Sequence, residues 1–245
     1  MKRLGCLFIL IVLGLSLGFF KLITDYEAQD QNVRIVNVAP VSHVWHKHIR
    51  RMVLIKISQS AFEFKLDTLP RNPIYINSSF FDSTGKPIGR VVLDYQALHS
   101  NKVKSGGFFC IYQGKPEIQT SIPLKQPQYL CQTRFVGIRN GKIQENICNT
   151  PKNKALNYRS VLGFNQKGDF YILHSGRWGF VSMRELLETA KAEGFVNALV
   201  FDSGSSLEVG CKTEQIDHEF KAYPNWIKEY FNIRKPSVYI TAHKR

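Results

Sequence analysis

A short apolar run, Asn197-Ala198-Leu199-Val200-Phe201, lies between Gly194 and Gly204 and stops abruptly at Asp202. Its length, its composition and the flanking glycines predict a buried strand. Such a strand needs a sheet to be buried in, and it delivers one carboxylate to the rim of that sheet. Ser203, Gly204, Ser205 and Ser206 then allow a tight turn in which a ligand can approach the backbone. Open sheets commonly place their chemistry at such strand ends. The same residues also make an ordinary turn with no chemistry.

The strand pattern recurs along the chain. Phe62 to Leu66 alternates apolar with charged residues. Arg34–Val38, Arg51–Ile57, Ile74–Ile76, Val91–Leu93, Phe108–Tyr112, Phe135–Ile138, Val161–Phe164, Phe170–Leu173 and Val238–Thr241 read as further strands. Helices are few. Ser182-Met183-Arg184-Glu185 fits a capping box, Leu186, Leu187 and Ala190 supply an apolar face, and Gly194 is a natural stop. A second helix is expected over Trp226–Phe231. With 44 % hydrophobic and 12 % aromatic residues, the chain has the material for a globular core. The expected class is α+β, a mixed β-sheet core with few helices in a single domain.

The N-terminus begins Met1-Lys2-Arg3, followed by an uncharged, mostly apolar stretch from Leu4 to Phe20. It matches the short end of a membrane-spanning helix, with the basic residues on the cytoplasmic side. The division expected is an anchor over 1–23, a stalk and lead-in over 24–50, and one exported domain over 51–245. A cleaved secretory signal is the alternative. The formal charge of +14 is spread along the chain. It suits a basic soluble surface or attraction to anions. No zinc-finger or RRM signature is present, so nucleic acid is not an expected partner.

Beyond Cys6, the cysteines are Cys110, Cys131, Cys148 and Cys211. An even number in an exported chain permits two disulfides. Cys131 and Cys148 flank a hairpin expected to turn at Asn140-Gly141, which makes them a candidate bridge. The run His43-Val44-Trp45-His46-Lys47-His48 has no carboxylate or thiol beside its histidines, and its lysine would repel a cation. Neither a metal nor another cofactor is expected.

Four strand ends carry polar groups. Ile74-Tyr75-Ile76 delivers Asn77, Leu199-Val200-Phe201 delivers Asp202, Arg159 precedes Val161-Leu162-Gly163, and Phe170-Tyr171-Ile172-Leu173 delivers His174. Arginine binds anions through a fixed fork of donors. Asparagine both donates and accepts. An aspartate can act as base or nucleophile, and a histidine can move a proton. Against these stand plainer roles: a surface ion pair for Arg159 and a satisfied strand-end ring for His174.

From about Pro73 to Gly210 the ordered motifs resemble the phosphodiester glycosidase family. They are Asn77-Ser78-Ser79-Phe80-Phe81, Pro87-Ile88-Gly89, Phe135 to Ile143 with its Asn140-Gly141 turn, Arg159-Ser160-Val161-Leu162-Gly163, His174, and Asn197 to Ser206. The resemblance implies a hydrolase that cleaves the glycosidic bond of a sugar-1-phosphodiester or a related phosphorylated glycan of the cell envelope. It assigns Asp202 to the anomeric centre, Arg159 to the phosphate, Asn77 to sugar hydroxyls or an acetamido group, and His174 to a second proton transfer. Gly204, Ser206, Ser79 and Arg134 would contact the substrate. Asp82 is the nearest sequence candidate for a partner carboxylate, against a turn role. Ser203 and Ser205 stand where the family has glycines, Ser78 and Ser79 where it has Gly or Ala, and Thr133-Arg134 follows Gln132 where Ser-Gly-Pro is usual. Those departures motivate an alternative, a non-catalytic envelope module of the same fold that binds an acidic glycan.

Overall fold

The computed structural model describes residues 44–49, 51–70, 73–78, 80–82, 86–100, 103, 106–176, 179–201, 204–213, 216–223 and 238–244. The expected anchor, the strand over Arg34–Val38 and the helix over Trp226–Phe231 lie outside these residues. Among the described residues no helix is long and apolar enough to cross a membrane.

Strands β1 (Val44–Ile49), β2 (Met52–Ile57), β15 (Phe170–Ser175), β14 (Ser160–Phe164), β16 (Asn197–Val200), β12 (Phe135–Arg139) and β13 (Lys142–Ile143) lie side by side in that order. Numbering follows the chain. A second sheet runs β18 (Asp217–Lys221), β17 (Glu208–Lys212), β4 (Ile74–Asn77), β19 (Tyr239–Lys244), β3 (Phe62–Asp67). A third runs β10 (Lys115–Gln119), β9 (Gly107–Tyr112), β11 (Tyr129–Thr133), β7 (Val91–Leu93), β8 (Gln96–His99). The short β5 (Phe80–Phe81) and β6 (Pro87–Ile88) pair with each other. The described helices are α1 (Glu145–Cys148), α2 (Pro151–Lys154) and α3 (Met183–Ala192).

The expected mixed sheet is corrected: every described strand pair is antiparallel. The helical crossover that usually makes a parallel pair is present, since α3 joins β15 to β16. These two strands run the same way, but β14 lies between them and is antiparallel to both. Val44 to Ile49, within the stretch expected as stalk and lead-in, enter the central sheet as β1, which pairs with β2.

Alternation along the central strands feeds two cores. Val53, Ile55, Ile57, Leu162, Phe170, Ile172 and Leu199 face the second and third sheets. Met52, Leu54, Val161, Tyr171, Leu173, Ala198 and Val200 face α3. Helix α3 answers with Met183, Leu186, Leu187 and Ala190, all buried. Full burial of one such side chain contributes about 1.5–3 kcal/mol. The Ser182 hydroxyl accepts a bond from the Glu185 amide at 3.2 Å, as the capping motif predicts. The Glu185 carboxylate does not return to close the box; it pairs with Arg51 at 3.1 Å.

The expected bridge between Cys131 and Cys148 is also corrected, because none of the buried Cys110, Cys131, Cys148 and Cys211 is in a disulfide. Cys131 lies in the core between the sheets and Cys148 in the core under α3. The central sheet separates them. The hairpin itself forms, with Arg139 opposite Lys142 and both Asn140 and Gly141 at positive φ.

Gly163, the last residue of the Arg-Ser-Val-Leu-Gly motif, is required by packing. A methyl group there would lie 2.6 Å from the Asn197 carbonyl oxygen and collide with the Phe195 ring. Gly163→Ala is expected to cost about 1–3 kcal/mol in denaturant unfolding; an unchanged midpoint would contradict this packing. Burial pushes the Cys110 and Cys211 thiols up to about 12. All four described thiols are therefore expected to resist a thiol reagent at mildly alkaline pH until the protein unfolds, and a bridge would show as two missing thiols. Because the Cys110 and Cys211 thiols ionise first in the unfolded chain, stability is expected to fall as pH rises above their ordinary value toward 12.

Candidate functional site

Strand β16 leads through residues 202 and 203 into a single 3-10 turn, Gly204–Ser206. Asp202, Ser203 and Ser79 lie outside the described residues. Gly204 has φ +84°, a conformation that glycine adopts without strain. Within the described part of the turn it alone has positive φ, so Ser205 occupies a backbone open to any residue. Three segments are tied to this turn and to Leu207 and Glu208 directly after it. The Gly204 amide donates to the Tyr158 carbonyl at 2.8 Å, and the Ala222 amide donates to the Leu207 carbonyl at 2.9 Å. The Glu208 amide donates to Asn77 Oδ1, also at 2.8 Å. The turn thus joins the end of β16, the approach to β14, the end of β4 and the start of β17.

The sequence-predicted side chains reach this rim from different directions. Arg159 is 2 % exposed. Its Nε donates to the Val181 carbonyl at 3.0 Å, and its Nη2 lies within hydrogen-bond distance of the carbonyls of Lys152, Asn153 and Ala155. The guanidinium therefore fastens α2 and the approach to α3 onto the sheet. Burial depresses its pKa, but a guanidinium keeps its charge. Next to it, Ser160 lies across the ladder from His174.

Asn77 is fully buried, and its side-chain oxygen extends the β4–β17 ladder by one bond. Beside it, Ser78 donates through both its amide and its hydroxyl to the Val238 carbonyl. This accounts for a serine where the family has Gly or Ala. On the same face of the second sheet, Tyr239 donates to Glu208 Oε2 and Tyr75 donates to Glu219 Oε1, both at 2.8 Å. Burial, reinforced by these carboxylates, pushes both phenols above their usual range. Glu208 is 4 % exposed. The sequence reading missed it because it sits in the polar-apolar run after the turn, where one carboxylate carries no distinguishing pattern.

His174 is fully buried. By strand alternation its ring continues the face of Phe170 and Ile172, toward the second sheet. There it meets His218, with Nε2 to Nε2 at 3.1 Å, while its Nδ1 lies 2.8 Å from the Ser175 carbonyl. Phe220 lies against His174 with ring centroids 5.3 Å apart, and Tyr158 lies against Phe220 at 5.4 Å. His218 was not singled out from sequence, since its strand is charged and half-exposed.

Arg134 is exposed at the start of β12, adjacent to the end of β16, with its guanidinium 5.6 Å from the Phe135 ring centroid. The Thr133 hydroxyl bonds the Val200 carbonyl. Gln132 is a staple: its side-chain oxygen accepts from the amides of Arg90 and Val103, and its nitrogen donates to the Val103 carbonyl. Asp82 accepts from the Lys86 amide, in keeping with the turn role expected of it. Among the described residues, no three His, Cys, Asp or Glu side chains are grouped as a metal would require. The structure therefore brings the ends of β4 and β16 and the start of β14 to one rim, while the Asn140-Gly141 turn is bonded to Val196 and Asn197 at the far end of β16, and Arg159, Asn77 and His174 present their side chains to three different surroundings.

No curated protein matches the sequence. Among solved structures, the fold is similar to the catalytic domain of zebrafish N-acetylglucosamine-1-phosphodiester alpha-N-acetylglucosaminidase, auto-inhibited by its pro-peptide. The TM-score is 0.60 at 14 % identity, over 87 % of this chain and 82 % of that one. It is also similar to a hypothetical protein from Synechocystis, with a TM-score of 0.59 at 13 % identity, over 87 % of this chain and 61 % of that one. Residues 73–228, which hold the turn, the Asn77 strand end and the His174–His218 pair, match the phosphodiester glycosidase family. This chain belongs to the phosphodiester glycosidase family.

Proposed function

We propose that this protein hydrolyses the glycosidic bond of a sugar-1-phosphodiester or a related phosphorylated glycan of the cell envelope. The observation that carries the proposal is the convergence of strand ends on residues Gly204 to Glu208, which follow Asp202 and Ser203 in the chain. In such a substrate the leaving phosphate is a weak base, so protonating it gains little. The larger demand is to hold its charge and to support an oxocarbenium-like centre. Asp202 serves that centre as nucleophile or as base for water. Arg134, exposed beside the end of β16, offers the phosphate a cation. Arg159 keeps its family position, but its donors to four carbonyls make it the clasp of the rim.

The soluble fragment is expected to release free sugar from a sugar-1-phosphodiester. Asp202→Asn is expected to lose about 10²-fold or more in kcat with the fold intact. Arg134→Ala is expected to raise KM about tenfold, an effect that shrinks in high salt. Arg159→Ala is expected to cost about 3 kcal/mol or more in unfolding free energy, because it leaves buried carbonyls unpaired. Full activity in Asp202→Asn would overturn the assignment.

The apolar stretch from Leu4 to Phe20, preceded by Lys2 and Arg3, supports an N-terminal anchor with the remaining chain exported. The full chain is expected to sediment with membranes and to be cut by protease added from the exported side. Protection from that protease would reverse the orientation.

A further inference from the structure

The His174–His218 contact has a proton logic that fixes which ring can act. The Ser175 carbonyl can only accept, so His174 Nδ1, 2.8 Å away, carries a hydrogen. When His174 is neutral, its Nε2 is therefore bare. The 3.1 Å contact to His218 Nε2 needs one hydrogen between the two nitrogens. That hydrogen then belongs to His218, and the basic nitrogen of His218 is Nδ1. His174 is fully buried, whereas His218 is half-exposed.

We propose that His218 is the second proton-transfer group of the site, and that His174 is a positioning residue that holds it in the Nε2–H tautomer. The catalytic part of this rests on the glycosidase reading given above. In the step itself, His218 Nδ1 takes a proton from the attacking water as its oxygen bonds to the anomeric carbon and the bond from that carbon to its leaving group breaks; His218 becomes an imidazolium while Nε2–H stays bonded to His174, and the phosphate departs as its anion. The Nδ1 proton then passes to solvent water, which restores the neutral pair. A carbonyl, a buried ring and a half-buried ring thus form a chain that orients one base, as an orienting group does in other hydrogen-bonded catalytic constellations.

The surroundings suit this role. Across β14 lies Ser160, across β2 lies Val53, and across β17 lies Cys211, whose buried thiol is neutral. Glu219, next to His218 in β18, turns to the opposite face and accepts from Tyr75. Asp217, on its other side, alternates to that same opposite face, and Arg159 is bound to carbonyls toward the helices. Phe220 packs on His174 and fixes its plane.

The test is nitrogen-15 NMR of histidine-labelled full chain, together with kinetics. At neutral pH, His174 is expected as the Nδ1–H tautomer and His218 as the Nε2–H tautomer. Finding Nε2–H on neutral His174 overturns the pairing, whether or not sugar is released. In His174→Phe, His218 is expected to show mixed tautomers. In the same variant kcat falls about tenfold with little change in KM, and His174→Gln, whose amide oxygen accepts the same hydrogen, recovers most of the loss. His218→Gln is expected to lower kcat about 10²-fold and to remove one limb of its pH profile. An unchanged profile in His218→Gln overturns the catalytic role. The expected tautomers in a protein that releases no sugar from any sugar phosphodiester would overturn the glycosidase reading and the catalytic role, and leave the pairing standing.

Discussion

The central seven-stranded sheet is packed on both faces, and every other feature of the site follows from that. Strand β15 is buried at all six positions, from Phe170 to Ser175. A polar residue at the end of such a strand must choose between the core shared with the other sheets and the core under the helices. Neither offers water, so each polar group must find a partner within the protein. His174 finds His218 and a carbonyl; Arg159 finds carbonyls on the other side. What emerges at the rim is backbone, held in a fixed shape by side chains that have turned inward.

This explains why adjacent polar residues in sequence do different work. Ser160 and His174 are partners across the ladder, while Arg159, one residue earlier, belongs to the opposite layer. The same split separates Cys131 from Cys148 and rules out their bridge. A carboxylate such as Glu208 can be buried because the Tyr239 hydroxyl meets one of its oxygens, and Asn77 holds its amide. Positive charge, abundant in the chain, is kept near the rim by Arg134.

Much of the architecture was legible. The alternation at Phe62–Asp67, the Asn140-Gly141 turn and the Ser182 cap follow from local rules that tertiary context left in place. Family resemblance placed the motifs that meet at the turn. The direction of each side chain was not legible. A strand buried on both faces reads as a continuous apolar run, and period 2 carries no signal when both phases are apolar. Arg159 and His174 therefore looked alike as strand-end polar groups, and His218 looked like an ordinary half-wet strand residue. The sheet's antiparallel character was hidden for a related reason. A helix between two strands suggests a parallel pair, and only the insertion of β14 between them defeats it.

The position of β16 has a further consequence. On one side of it stand β1, β2, β15 and β14; on the other stand β12 and β13. Without β16 these are two unconnected half-sheets, so this strand is the seam of the layer. The Gly204–Ser206 turn follows it almost immediately and is fastened to Tyr158, beside β14. A guest gripped by the turn, as the proposed function requires, would brace the seam as well, so that the proposed site and the cohesion of the whole layer would stand or fall as one mechanical unit.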